Sequence, residues 1–158
     1  MKKIALIAHD AKKDDMVLLV KSYQQQLKEF DLIATKGTGQ LVMGRTSLPV
    51  SLLLEGPRGG DQQVGALIAN GEVEAVIFLR DPLTAQPYEP DIISLLRVCE
   101  VHDIPLATNL STAQAVFDMI FEWKTGSDEK DEKQRLLAMQ APLIADADQE
   151  GTVCSLRK

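Results

Sequence analysis

Short apolar runs at residues 4–8, 32–35, 50–54, 75–79 and 106–108 alternate with longer stretches whose apolar positions recur every three or four residues. The runs are short, nearly continuous and rich in Ile, Val and Leu, as strands buried on both faces are. The periodic stretches predict helices over residues 14–30, 40–46, 61–70 and 91–102, with another after Ser111. In the fourth of these, Ile92, Leu95, Leu96 and Cys99 make one apolar face. Gly71 marks the end of the helix begun at Asp61, and Pro105 follows the end of the next. Alternation of this kind predicts an α/β fold, a doubly wound parallel sheet with helices on both faces.

A chain of 158 residues, 45% hydrophobic and 25% charged, is large enough for one self-sufficient core plus a tail. The composition changes near Gly126, which divides the chain into a domain over residues 1–125 and a segment over 126–158. That segment carries a charge run, "SDEKDEKQR", an apolar run, "LLAMQAPLIA", and an acidic end. The apolar run could dock on the domain or on a neighbouring subunit, and the sequence does not choose. The net charge of −6 argues against a nucleic-acid partner, which needs a basic face. It leaves room for a small anionic substrate attracted by local Lys and Arg. The start "MKKIALIAHD" lacks the long apolar region and cleavage site of a signal peptide, and no run approaches a membrane span. Cys99 and Cys154 have no metal-site spacing, two cysteines in a chain of this kind do not imply a disulfide, and the expected compartment is the cytoplasm.

Ligands of open α/β sheets bind beyond the carboxyl ends of the strands, so the residues just after each run matter most. They read His9-Asp10, Thr35 to Gly39, Glu55 to Asp61, Arg80 to Pro82, and Thr108-Asn109. Asp91 follows a proline-stiffened loop, "PLTAQPYEP". Singly, each has an ordinary explanation. Asp61 suits a helix N-cap, Asp81 a turn, and His9 a partly buried hydrogen bond. His102 suits a helix C-terminus, where the dipole favours a cation. Asp10, Asp61, Asp81 and Asp91 on one edge would together raise one another's pKa, which prepares a carboxylate to act as a base. "GTGQLVMG" is not a dinucleotide fingerprint, no P-loop exists, and no His or Cys pair has metal-ligand spacing. The residues therefore point to a metal-free carboxylate site beside Gly- and Thr-rich turns that hold a small phosphate.

"ALIAHDAKKDDM", "GPRGGDQQVGALI", "RDPLTAQPYEPD" and "IPLATNLSTA" resemble the methylglyoxal synthases. The likeness spans roughly residues 3 to 116. It implies a homohexamer that eliminates phosphate from dihydroxyacetone phosphate to give methylglyoxal, without metal or organic cofactor, and that phosphate inhibits cooperatively. It also implies a role for each matching residue. Asp61 is the base that takes a C3 proton, and His9, Asp10, Asp81 and Asp91 shape the site. Lys13, Thr35, Thr38 and Gly56 hold the phosphate. Arg97 is linked to Asp10 across a subunit contact.

The chain departs from the family pattern in places. Tyr88 stands where the family has a histidine that donates to the substrate oxygens. Glu55 replaces a serine phosphate ligand, and "TKGTG" replaces "TGTTG", which puts Gly37 in place of a threonine and adds Lys36. Two unit charges roughly 4 Å apart interact by about 4 kcal/mol at an effective dielectric of about 20. Glu55 must therefore turn from the phosphate, pairing with Lys36 or Arg58, or the ligand has changed. The alternative reading is a catalytically altered paralogue that binds another metabolite and regulates a partner. A purely structural oligomer leaves the clustered acids unexplained.

Overall fold

The computed structural model describes residues 3–125. Strands β1 (Lys3–Ala8), β2 (Asp31–Thr35), β3 (Val50–Leu53), β4 (Val73–Leu79) and β5 (Leu106–Ala107) form one five-stranded sheet in the order β3-β2-β1-β4-β5. Every pairing is parallel, with Ala5 opposite Ile33 on one side and Val76 on the other. Chain order reverses between β1 and β4, and His9 follows β1 at that point.

The helices are α1 (Lys13–Ser22), α2 (Gln24–Leu27), α3 (Lys36–Arg45), α4 (Gly60–Ala69), α5 (Glu89–Val101) and α6 (Leu110–Thr125). One sheet face carries Ala5, Ile7, Ile33, Val76 and Phe78, covered by Val64 and Ile68 of α4 and Ile92, Leu95 and Cys99 of α5. The alternate residues Ile4, Leu6, Ala34 and Leu79 are also buried, and α3 packs on that side through Gly39. Burial on both faces explains why the strands read as continuous apolar runs. It also confirms the apolar setting of Cys99, whose thiol is pushed up to about 11 by desolvation.

Some boundaries differ from the sequence reading. The helix expected over residues 14–30 breaks at Tyr23, whose hydroxyl donates to Asp118 at 2.9 Å and whose ring meets Phe117 edge-on. The helix expected at residue 40 begins at Lys36, so "KGTG" is a first helical turn and not a loop. Gly39 explains this, because a β-carbon there would lie 2.4 Å from Leu52 Cδ2 and 3.2 Å from Ala34 Cβ. Close packing on β2 and β3 overrides the low helix propensity of glycine. α4 and α5 end in the same way: Gly71 (φ 71°) and Asp103 (φ 52°) are left-handed, and Glu72 and Ile104 donate back to Leu67 and Cys99. The segment over residues 126–158, with Cys154, lies outside the described residues.

Candidate active site

A cavity of about 310 Å³ opens where the carboxyl ends of β1 and β2 meet the starts of α3 and α4. His9, Asp10, Lys13, Thr35, Gly37, Thr38, Glu55, Gly56, Asp61 and Tyr88 line it, with Phe78 and Ile92 as apolar wall.

Asp61 lies in the first turn of α4, almost fully buried at 5% exposure. It is not the N-cap, which is Gly59 in a left-handed conformation (φ 100°). Gly60 allows the helix start to press on β3, since a β-carbon there would sit 2.1 Å from the Leu54 carbonyl oxygen. One Asp61 oxygen accepts the Gln62 N–H at 2.9 Å. Burial raises its pKa above the ordinary aspartate value, and nearby Asp91 adds to the rise.

His9 is buried, and its Nδ1 accepts the Asp81 backbone N–H at 3.0 Å. In a neutral ring the proton therefore sits on Nε2, a buried atom with no hydrogen-bond partner. Burial lowers the imidazole pKa, and the Arg80 cation lowers it further, so the neutral form is favoured. Phe78 and Tyr88 meet the ring edge-on at 5.2 and 6.5 Å. Tyr88 is the N-cap residue of α5, and burial raises its phenol pKa, with Asp10 and Asp61 contributing, which keeps it a hydroxyl donor.

The cavity is also lined by Lys13 and by residues of the first turn of α3. Lys13 Nζ sits 2.7 Å from where a Gly37 β-carbon would be, over the start of α3. It pairs with Asp10 at 2.6 Å, and that bond holds the Asp10 carboxyl below its usual pKa range. Lys36 N–H donates to Leu54, leaving the N–H groups of Gly37 and Thr38 at the positive end of the helix. Thr35 donates to Thr38 at 3.3 Å, and Thr38 bridges to the Ala8 backbone. Glu55 lies half-exposed with its carboxylate 3.6 Å from Arg58 Nε. Of the two partners open to it in the sequence, the structure selects Arg58.

Other expected residues lie elsewhere. Asp81 and Asp91 do not line the cavity, so among the acids expected to converge only Asp10 and Asp61 do. The Asp81 carboxylate accepts from Thr84 and the Leu83 N–H, which lower its pKa. Asp91 accepts from Gln62 Nε2 at 3.2 Å. Arg97 is exposed on α5, away from the cavity. Sequence reasoning missed Gln62, which joins Asp61 and Asp91 through its backbone and side chain; its place beside Asp61 was the available signal. Among the described residues, no group of three or more His, Cys, Asp or Glu could hold a metal ion.

The family described as MGS-like domain matches residues 15–108. Methylglyoxal synthase from Carboxydothermus hydrogenoformans is 55% identical over 114 residues, covering 72% of this chain and 94% of that protein. The chain belongs to the methylglyoxal synthase family. The methylglyoxal synthase of Thermoanaerobacter sp. (strain X514) is 53% identical over 129 residues, 79% of this chain and 98% of its own. That of Moorella thermoacetica is 56% identical over 115 residues, 73% and 89% of the two chains. A crystal structure of methylglyoxal synthase from Elizabethkingia anophelis NUHP1 superposes with a TM-score of 0.69 at 42% identity, covering 73% of this chain and 76% of that one. The family expected from the sequence and its doubly wound parallel fold are thus both found. Among the described residues, no helix is long and apolar enough to cross a membrane.

Proposed function

We propose that the chain is a carbon–oxygen lyase that converts dihydroxyacetone phosphate to methylglyoxal and inorganic phosphate. One observation carries the reading: a buried carboxylate with a raised pKa, Asp61, shares a small cavity with Lys13, Thr35 and the N-terminus of α3. An anion cradle beside a base suits a substrate with a phosphate two carbons from an acidic C–H.

In this reading Lys13, the hydroxyl of Thr35 and the N–H groups of Gly37, Thr38 and Gly56 hold the phosphate. Asp61 removes a proton from C3, and the electron pair moves onto the C2 oxygen as an enediolate. His9 Nε2–H and the Tyr88 hydroxyl donate to the developing oxyanion. A neutral imidazole does this without losing its proton in the ground state. The C2 oxygen then takes up a proton and the C3 hydroxyl gives one up. The hydroxyl's electron pair forms the C3 carbonyl, the C2=C3 pair shifts to C1=C2, and the C1–O bond breaks with its pair leaving on phosphate. The resulting enol is protonated at C1 and loses its hydroxyl proton to give methylglyoxal. Atoms balance without oxidant, metal or organic cofactor. Asp91 supports the base by raising its pKa, and Asp81 fixes His9 through its backbone N–H.

Glu55 pairs with Arg58 and Tyr88 retains a donor, so neither departure from the family pattern favours a metabolite-binding paralogue. The reading extends to a homohexamer inhibited by phosphate, with exposed Arg97 at a subunit contact. Purified protein given dihydroxyacetone phosphate should release methylglyoxal and phosphate in equal amounts. Release of neither would overturn the reading.

A further inference from the structure

The charged residues that line the cavity are Asp10, Lys13, Glu55 and Asp61. The Lys13 charge is balanced by Asp10 at 2.6 Å before any phosphate enters. Two acids then remain, although the proposed substrate is itself a phosphate dianion. Asp61 must stay charged to act as a base. Glu55 has no such duty, yet it lines the same space.

Arg58 lies three residues on, across a single turn (Gly56–Arg58) stiffened by Pro57. The Glu55 carbonyl accepts the N–H groups of Arg58 and Gly60 at 2.9 and 3.0 Å, which fixes both ends of the turn. The guanidinium reaches Glu55 at 3.6 Å and does not itself line the cavity. We propose that Arg58 is a positioning residue for the substrate: it holds and neutralises the Glu55 carboxylate, so that a phosphate dianion can enter without touching Arg58. The inference rests on the phosphate-binding reading of the cavity. Arg58 and Glu55 are 79% and 51% exposed, so replacing either should not disturb the fold.

A double-mutant cycle isolates the effect. Inorganic phosphate binding is measured by calorimetry at low salt, alongside KM and kcat, for wild type, Arg58→Leu, Glu55→Gln and the double variant. Arg58→Leu should weaken phosphate binding and raise KM by roughly threefold to tenfold, with kcat within about twofold. In the Glu55→Gln background the same change should have little effect. The single-variant loss should shrink at high salt, because the pair is exposed. An equal loss in both backgrounds would mean that Arg58 attracts the phosphate directly, and no loss in the single variant would mean that it does nothing; either overturns the proposal. A wild-type protein that binds no phosphate and turns over no substrate would instead overturn the reading beneath it.

Discussion

At the scale of single residues, the site depends on a carboxylate placed where it is least comfortable. Asp61 is 5% exposed, and its pKa is raised, chiefly by desolvation. A carboxyl with a raised folded pKa stabilises the fold while protonated, and that contribution is lost as pH rises through the folded pKa. At neutral pH the ionised side chain costs stability. Asp61→Asn keeps the acceptor for Gln62 N–H and removes the charge, so its Tm should equal or exceed wild type at pH 7. The advantage should shrink as pH falls toward the ordinary aspartate value of 3.8. A variant with a clearly lower Tm at pH 7 would contradict a strained, functional carboxylate. Asp61 stood out in the sequence as a carboxylate after a glycine-rich turn, but its position alone favoured a helix N-cap, which is Gly59 instead, and the role of base came only from the resemblance. The neutral tautomer of His9, the Gln62 bridge and the choice of Arg58 over Lys36 were not legible there, because each depends on side-chain geometry a few ångströms across. Asp81 and Asp91 share a sheet edge with Asp61, but topology alone could not tell that their carboxylates turn to Thr84 and Gln62.

At the scale of elements, α4 delivers Asp61 and Gly60 sets where α4 begins. A Gly60 β-carbon would meet backbone, the Leu54 carbonyl oxygen at 2.1 Å and the Glu55 carbonyl carbon at 3.1 Å, so no side-chain rotation relieves it. Gly60→Ala should cost about 1–3 kcal/mol and displace the base. Gly65 lies in the same helix with nothing within 4 Å of its β-carbon position. There Gly65→Ala should add about 0.5–1 kcal/mol through helix propensity. Urea unfolding of the two variants checks both signs; equal effects would show that the Leu54 contact does not place the helix. The strand runs, α4 and α5 were readable from periodicity to within a few residues. The start of α3 and the break at Tyr23 were not, because contacts with Leu52 and with Asp118 and Phe117 set them, and these partners are distant in sequence or weak as local signals.

At the scale of the whole molecule, the switch point between β1 and β4 brings the ends of separate βα units to one cavity, as expected of a doubly wound sheet. On α5, Ile93, Arg97 and Val101 all face outward at four-residue spacing, the apolar pair 61% and 65% exposed. A subunit contact there fits the proposed homohexamer. Sedimentation at micromolar concentration should give six times the 17.4 kDa chain mass. A stable monomer would contradict both the hexamer and a cooperative response to phosphate. The central claim remains chemical: Asp61 removes the proton that starts phosphate elimination. It is tested most directly by supplying dihydroxyacetone phosphate to wild type and Asp61→Asn and following methylglyoxal together with phosphate. Wild type should release both in equal amounts, and the folded variant, which lacks the base, should lose at least about a thousandfold in kcat. Near-normal turnover by Asp61→Asn would remove Asp61 from the chemistry and contradict the account.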